Sequence, residues 1–128
     1  ATVESMAFQS RDVLDCMQRD TGVQLDELRV DGGASVNASL MQFQADLLGV
    51  SVVRPKVAET TALGAAFLAG LAVAEWSSLE DIASTWQLGA RFEPRPIAGM
   101  NAKYKLWQKA VQRCLGWESP TVPQGDSA

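Results

Sequence analysis

Histidine is missing from all 128 residues. Its absence removes every Ser-His-Asp or Cys-His nucleophile scheme, the usual zinc sites and any imidazole general base within the chain. Cysteine is scarce. Cys16 and Cys114 lie too far apart in sequence to make a metal or redox spacing, and both fall in amphipathic helical patterns. They read as small core or near-surface residues, not as a disulfide. No apolar run approaches the roughly 20 residues of a membrane span, and no basic-then-apolar secretion pattern opens the sequence. An excess of positive charge is lacking too: 11 basic against 15 acidic side chains leave a formal charge of −4. That balance disfavours nonspecific adhesion to nucleic acid or an anionic membrane. The expected partners include neither, and the default location is the cytoplasm.

What remains is an ordinary globular composition, 47% apolar and 20% charged, in a length that suits one domain at most. Ala1 to Arg19 is helical in pattern, with Val3, Met6, Ala7, Ser10, Val13, Leu14 and Met17 forming one stripe, and Thr21-Gly22 ends it. A short strand is expected over Leu28 to Asp31. A helix from Asn37 to Leu48 follows, turning Leu40, Met41, Phe43, Gln44, Leu47 and Leu48 inward and stopping at Gly49. Val50 to Arg54 is a second strand, expected to be buried on both faces and closed by Pro55. The helix from Glu59 to Leu71 is apolar almost all round and carries Ala62, Gly64, Ala65, Ala66 and Ala69, which predicts burial and close packing. Ser78 to Ser84 is a short helix, Gln87 to Met100 a surface loop with Pro94, Pro96 and Gly99, and Asn101 to Leu115 a last helix. Its inner stripe is Tyr104, Trp107, Val111 and Cys114. Gly116 to Ala128 reads as a flexible tail, leaving residues 1–115 as the structured unit.

The order places a βαβ unit at the centre, whose two strands lie parallel. Two strands are too few for the buried-type helix present. Further sheet is expected from residues before Ala1 or from another copy of the chain. An open sheet edge and the stripe of Val3, Met6 and Val13 make self-association into a homo-oligomer the corresponding expectation.

Val30-Asp31-Gly32-Gly33-Ala34, followed by Asn37 and the helix it opens, is the most informative segment. Glycines strip away the side chains that keep a ligand off the backbone, and the unpaired N–H groups of a first helical turn then face it. Such a place suits a nucleotide. A double glycine after a strand also serves a tight turn for steric reasons alone, and the motif by itself leaves both readings open. Asp31 is open in the same way, between a group that faces phosphate or metal and a side chain that stabilises its own turn. Asn37 is either a ligand contact or a helix N-cap, or both.

Four segments together resemble the C-terminal end of the glycerol kinases, in the FGGY carbohydrate kinase family with its actin-like ATPase fold. They are Ala1-Thr2-Val3-Glu4-Ser5-Met6-Ala7-Phe8-Gln9-Ser10-Arg11-Asp12-Val13, then Leu28 to Ala34, Leu40-Met41-Gln42-Phe43-Gln44-Ala45-Asp46, and Arg54-Pro55 with Glu59-Thr60-Thr61-Ala62-Leu63-Gly64-Ala65-Ala66. The likeness runs from Ala1 to Arg113. It implies an α/β fold, the C-terminal portion of an actin-like (ribonuclease H-like) domain with short parallel strands between helices. It also implies ATP or ADP and Mg²⁺ as cofactors, and glycerol as the substrate of the intact enzyme. Gly33 and Asn37 would touch the nucleotide, Gly32 and Ala34 would line the same turn, and Asp31 would face the phosphate or metal side. Glu59, Thr60 and Gly64 are assigned to packing. The family's phosphate-gripping hairpin, glycerol-binding side chains and catalytic aspartate match nothing in this chain, so no catalytic residue and no metal ligand are expected in it. Two other readings stay beside this one: a fragment of another FGGY sugar kinase, and a non-catalytic half-domain serving as an oligomerisation or interaction module.

Overall fold

A three-stranded sheet in the order β1-β2-β3, with helices laid over one face, organises the computed structural model, which describes residues 1–116. Of the expected tail, everything after Gly116 lies outside the described residues. Helix α1, Thr2–Thr21, ends where Gly22 takes a left-handed φ of 69° and returns its N–H to the Gln18 carbonyl. Strand β1 is Glu27–Arg29, earlier and shorter than expected. Val30 still donates to the Val53 carbonyl at 2.9 Å, but Asp31 has left the ladder. A short 3-10 helix, Gly33–Val36, stands between that strand and α2, Ala38–Leu48, where a direct strand-to-helix turn was expected. Strand β2, Ser51–Pro55, runs parallel to β1, with Leu28 opposite Val52 and Arg29 opposite Val53. Helices α3, Thr60–Ala72, and α4, Leu79–Ser84, follow; the Ser78 hydroxyl caps α4 by accepting the Asp81 N–H. Helix α5 is Met100–Cys114.

The expected loop over Gln87 to Met100 is wrong in its first half. Leu88–Phe92 is strand β3, antiparallel to β2, with Phe92 opposite Val52 and Arg91 opposite Val53. Gly, Ala and Arg carry little strand preference, so only the pairing with β2 could decide the matter. A bulge between Arg54 and Pro55 brings the two backbones so close at Gly89 that a Cβ there would stand 2.6 Å from the Pro55 carbonyl oxygen. The chain thus supplies one of the strands expected from elsewhere, and β2 becomes central, with Ser51, Val52 and Val53 all buried.

Register sorts the side chains into two faces. Leu28, Val52 and Phe92 form one row and join Ala7, Phe8, Leu40, Met41, Ala45, Leu47, Met100 and Tyr104 in a single apolar core beneath α1, α2 and α5. Each large apolar side chain buried there contributes about 1.5–3 kcal/mol. Phe8 is its hub, with ring centroids 5.7 Å from Phe43, 6.2 Å from Tyr104 and 5.7 Å from Trp107. The opposite face is charged. Arg91 reaches across β2 to Glu27 at 2.6 Å while also pairing with Glu93, and Ser51 Oγ accepts from Arg91 and donates to Glu93.

Three expectations about helix faces need correction. In α1, Val3, Met6, Val13 and Met17 are exposed; the buried residues are Ala7 and Phe8, and the face toward the core continues through Arg11 and Asp12. Polar residues that pair across the interface take the place of the apolar stripe. Asp12 accepts from the Tyr104 hydroxyl at 2.5 Å and from the Trp107 indole at 2.7 Å, while the Arg11 guanidinium lies 4.1 Å from the Tyr104 ring centroid. In α5, Tyr104 and Trp107 do face inward, but Val111 and Cys114 do not. In α3, the most uniformly apolar helix, only Gly70 is buried, under Trp76, and Leu68 is 69% exposed.

Candidate functional site

Because β1 and β2 are parallel, the segments that leave them emerge at the same end of the sheet. In open α/β sheets that end is where ligands collect. After β1 comes Asp31 to Asn37; after β2 comes Lys56 to Glu59 and then α3. Two bonds tie the segments together. The Gly32 N–H donates to the Ala58 carbonyl at 3.0 Å, and the Thr60 hydroxyl donates to the Asp31 carboxylate. The N-termini of the 3-10 helix and of α3 therefore lie near one another, and the electrostatics of helix starts favour an anion there.

The turn needs its first glycine. Gly32 has φ 75° and ψ 177°, a region that only glycine occupies without strain. Gly33 is different. Its φ is not positive, and a Cβ there would meet nothing within 4 Å. Its value is openness of the main chain, not backbone conformation. The first bond of the 3-10 helix runs from the Ser35 N–H to the Gly32 carbonyl at 3.1 Å, so the N–H groups of Gly33 and Ala34 precede it and have no helical partner.

Of the five residues expected to bind, Asp31, Gly33, Ala34 and Asn37 are exposed and Gly32 is half-buried. Of the two alternatives for Asn37, the helix N-cap is the one the structure displays. Its Oδ1 accepts the Leu40 N–H at 3.1 Å, which makes it the N-cap of α2, while its Nδ2 donates to no group among the described residues. Asp31 stabilises the site through a neighbouring segment and not through its own backbone. Thr60, assigned to packing, is the partner that holds it. Gly64, also assigned to packing, meets no neighbour at its Cβ position.

Two residues of the site escaped sequence reasoning. Ser35 is 1% exposed, and its hydroxyl donates to the Gly32 carbonyl at 2.7 Å. Arg54, on β2, donates from Nη1 to the Ser35 carbonyl at 2.8 Å. The one available signal was a cation at the end of a strand otherwise buried, where an unpartnered charge is costly.

Several hollows open among the described residues, and two of them bear on the surroundings of the site. A cleft of about 710 Å³ between α1, the end of α2 and residues 94–102 sits at the opposite end of the sheet. Asp46 at its rim is fully engaged: Arg95 binds it from both guanidinium and main chain, and Gln42 adds a third donor. These bonds hold the Asp46 carboxyl below its ordinary value, Arg95 contributing most. A second, apolar hollow of about 520 Å³ borders the candidate site at Pro55, Lys56 and Thr60 and extends past Phe67, Trp76 and Trp86.

Comparison with known proteins decides the family. Residues 1–73 match the C-terminal domain of the FGGY family of carbohydrate kinases. The chain belongs to that family. Glycerol kinase of Deinococcus radiodurans is 58% identical over 119 residues, covering 92% of this chain, and glycerol kinase 2 of Thermotoga maritima is 57% identical over 123. This chain spans only 24% of the length of either relative. Among solved structures, Plasmodium falciparum glycerol kinase with ADP superimposes with a TM-score of 0.73 at 37% identity, over 88% of this chain and 23% of that one. The fold extends to xylulose kinase of Lactobacillus acidophilus, TM-score 0.77 at 21% identity, over 91% of this chain and 24% of that one. The expected actin-like kinase fold is therefore correct.

Proposed function

We propose that this FGGY chain is the nucleotide-facing C-terminal part of a glycerol kinase, an ATP-dependent phosphotransferase that moves the γ-phosphate of ATP to glycerol and yields glycerol 3-phosphate. The observation that carries the reading is the bare main chain at Gly33, open at the carboxyl ends of two parallel strands and flanked by two helix starts. In this reading Gly32, Gly33 and Ala34 present backbone to the nucleotide, and Asn37 offers its Nδ2, which has no partner among the described residues. Asp31, held by Thr60, lies on the phosphate side. The high identity to glycerol kinases favours glycerol over the substrates of other FGGY kinases. Residues 1–115 act as an incomplete nucleotide-binding subdomain, and the cytoplasm stays the proposed location.

Phosphoryl transfer depends on positioning and on charge stabilisation around the γ-phosphate. Among the described residues no three His, Cys, Asp or Glu side chains cluster to hold a metal ion, so Mg²⁺ enters this reading only as a companion of the nucleotide phosphates. The chain by itself is expected to bind ADP without turning over. Isothermal titration of ADP into the 128-residue protein tests the binding half. Gly33→Val should weaken it strongly while leaving the melting temperature unchanged, since the new side chain meets open space. Equal ADP affinity in the two proteins would refute the site. Glycerol-dependent ADP release well above background from this chain would refute the assignment of catalysis to other parts of the enzyme.

A further inference from the structure

The 3-10 turn is braced from inside by a cation that pairs with no acid among the described residues. Arg54 extends from the carboxyl end of β2 and donates to the Ser35 carbonyl at 2.8 Å. That is its only side-chain hydrogen bond among the described residues, and it forms no ion pair there. Ser35, 1% exposed, passes the constraint on, donating from both its N–H (3.1 Å) and its hydroxyl (2.7 Å) to the carbonyl of Gly32. The result is a chain of donors running from a rigid, buried strand to the glycine whose φ of 75° sets the turn. The other cations of this sheet are matched, since Arg29 and Arg91 both reach Glu27. Arg54 alone of these is directed to a carbonyl, at the one end of the sheet where the geometry favours an anion.

We propose that Arg54 is a positioning residue for nucleotide binding, acting through Ser35 to hold the Gly32–Val36 turn in its receptive shape, with its uncompensated charge adding to the attraction for phosphate. This rests on the nucleotide reading above but makes a separate claim about the turn. Hydrogen bonds from a charged donor are worth enough to predict that Arg54→Met raises the ADP dissociation constant about tenfold. Arg54→Lys should recover part of that loss by restoring the charge and one donor.

The test uses the 128-residue chain and two readouts. Titration of ADP into wild type, Arg54→Met, Arg54→Lys and Tyr104→Phe measures affinity. Amide hydrogen exchange without nucleotide measures order in the turn, at Val36 and Asn37, against α5 as an internal reference. Tyr104→Phe removes a hydroxyl bonded to Asp12 far from the turn, so it lowers the melting temperature without altering affinity or turn exchange. The expected result is faster exchange confined to the turn and weaker ADP binding in Arg54→Met, with partial rescue in Arg54→Lys. If Gly33→Val abolishes binding while Arg54→Met binds and exchanges like wild type, the brace is overturned and the nucleotide site stands. If wild type fails to bind ADP but Arg54→Met still loosens the turn, the nucleotide reading falls and the brace survives as structure. Equal loss of affinity in Tyr104→Phe and Arg54→Met would reduce Arg54 to general stability and overturn the proposal. Should Arg54→Met fail to fold, Arg54→Lys against wild type decides: unchanged affinity and exchange there overturn it.

Discussion

Helices α2 and α3 both follow a strand of the parallel pair and both are rich in apolar residues, yet the fold treats them in opposite ways. Helix α2 buries Leu40, Met41, Gln44, Ala45, Asp46 and Leu47 beneath α1 and α5 and over the sheet. Helix α3 buries Gly70 alone, although its sequence is the more apolar of the two. Its local partner is Trp76, whose ring meets Phe67 edge-on at 5.2 Å. The lesson is that apolarity states a demand for cover and says nothing about where the cover comes from.

That contrast can be broken, starting from the packed side. Phe8→Ala should cost about 3–5 kcal/mol, because three aromatic neighbours lose their common contact; urea unfolding followed by circular dichroism reads it. A loss below 1 kcal/mol would mean that the α1, α2 and α5 layer is not the stabilising unit. Gly89→Ala should cost about 1–3 kcal/mol, since its new methyl collides with the Pro55 main chain, which cannot swing aside as a side chain would. Unaltered stability together with unaltered amide protection in β3 would show the bulge to be pliable.

Acid provides the next test. The carboxyl of Asp46 is held below its ordinary value in the folded state, so the unfolded chain takes up the proton first as pH falls. Its contribution is complete above an ordinary carboxylate pKa of about 4 and disappears as pH drops through the lower folded value. Arg95 is 62% exposed, which limits the effect to about 1 kcal/mol. Asp46→Asn should flatten the fall in stability over that acid range relative to wild type, and an unchanged slope would assign acid sensitivity elsewhere. The smallest effect belongs to the bare side. Leu68→Ser, on α3, should shift stability in this chain by no more than about 0.5 kcal/mol. A drop of several kcal/mol in the same urea experiment would show that α3 is already packed within the chain and would erase the contrast.

Much of the geometry around the candidate site was legible because its logic is local. Gly32 and Gly33 after a strand, Asn37 before a helix and Gly22 and Gly49 after helices act through backbone freedom and first-turn hydrogen bonds, which depend on near neighbours in the chain. Most inward residues of α2, namely Leu40, Met41, Phe43, Gln44 and Leu47, were legible through their period, whereas the burial of Ala45 and Asp46 was not. Strand β3 was not, because Leu88-Gly89-Ala90-Arg91-Phe92 becomes a strand only by pairing with β2. The inward face of α1 was hidden for a related reason. Asp12 is polar by itself and belongs inside only once Tyr104 and Trp107, about 90 residues on, arrive to donate to it.

From the amino acids alone came the parallel β1-α2-β2 unit, the glycine turn and, through four motifs, the kinase family. Those features follow from local conformational preference, from periodicity and from the identities of residues close together in sequence. Tertiary structure decided that Thr60 would hold Asp31, that Arg54 would reach Ser35, and that α2 would be covered while α3 stayed bare. Each of those depends on which distant segments the sheet register brings within hydrogen-bonding or packing distance, and a side chain's partner across space is not written in its own neighbourhood.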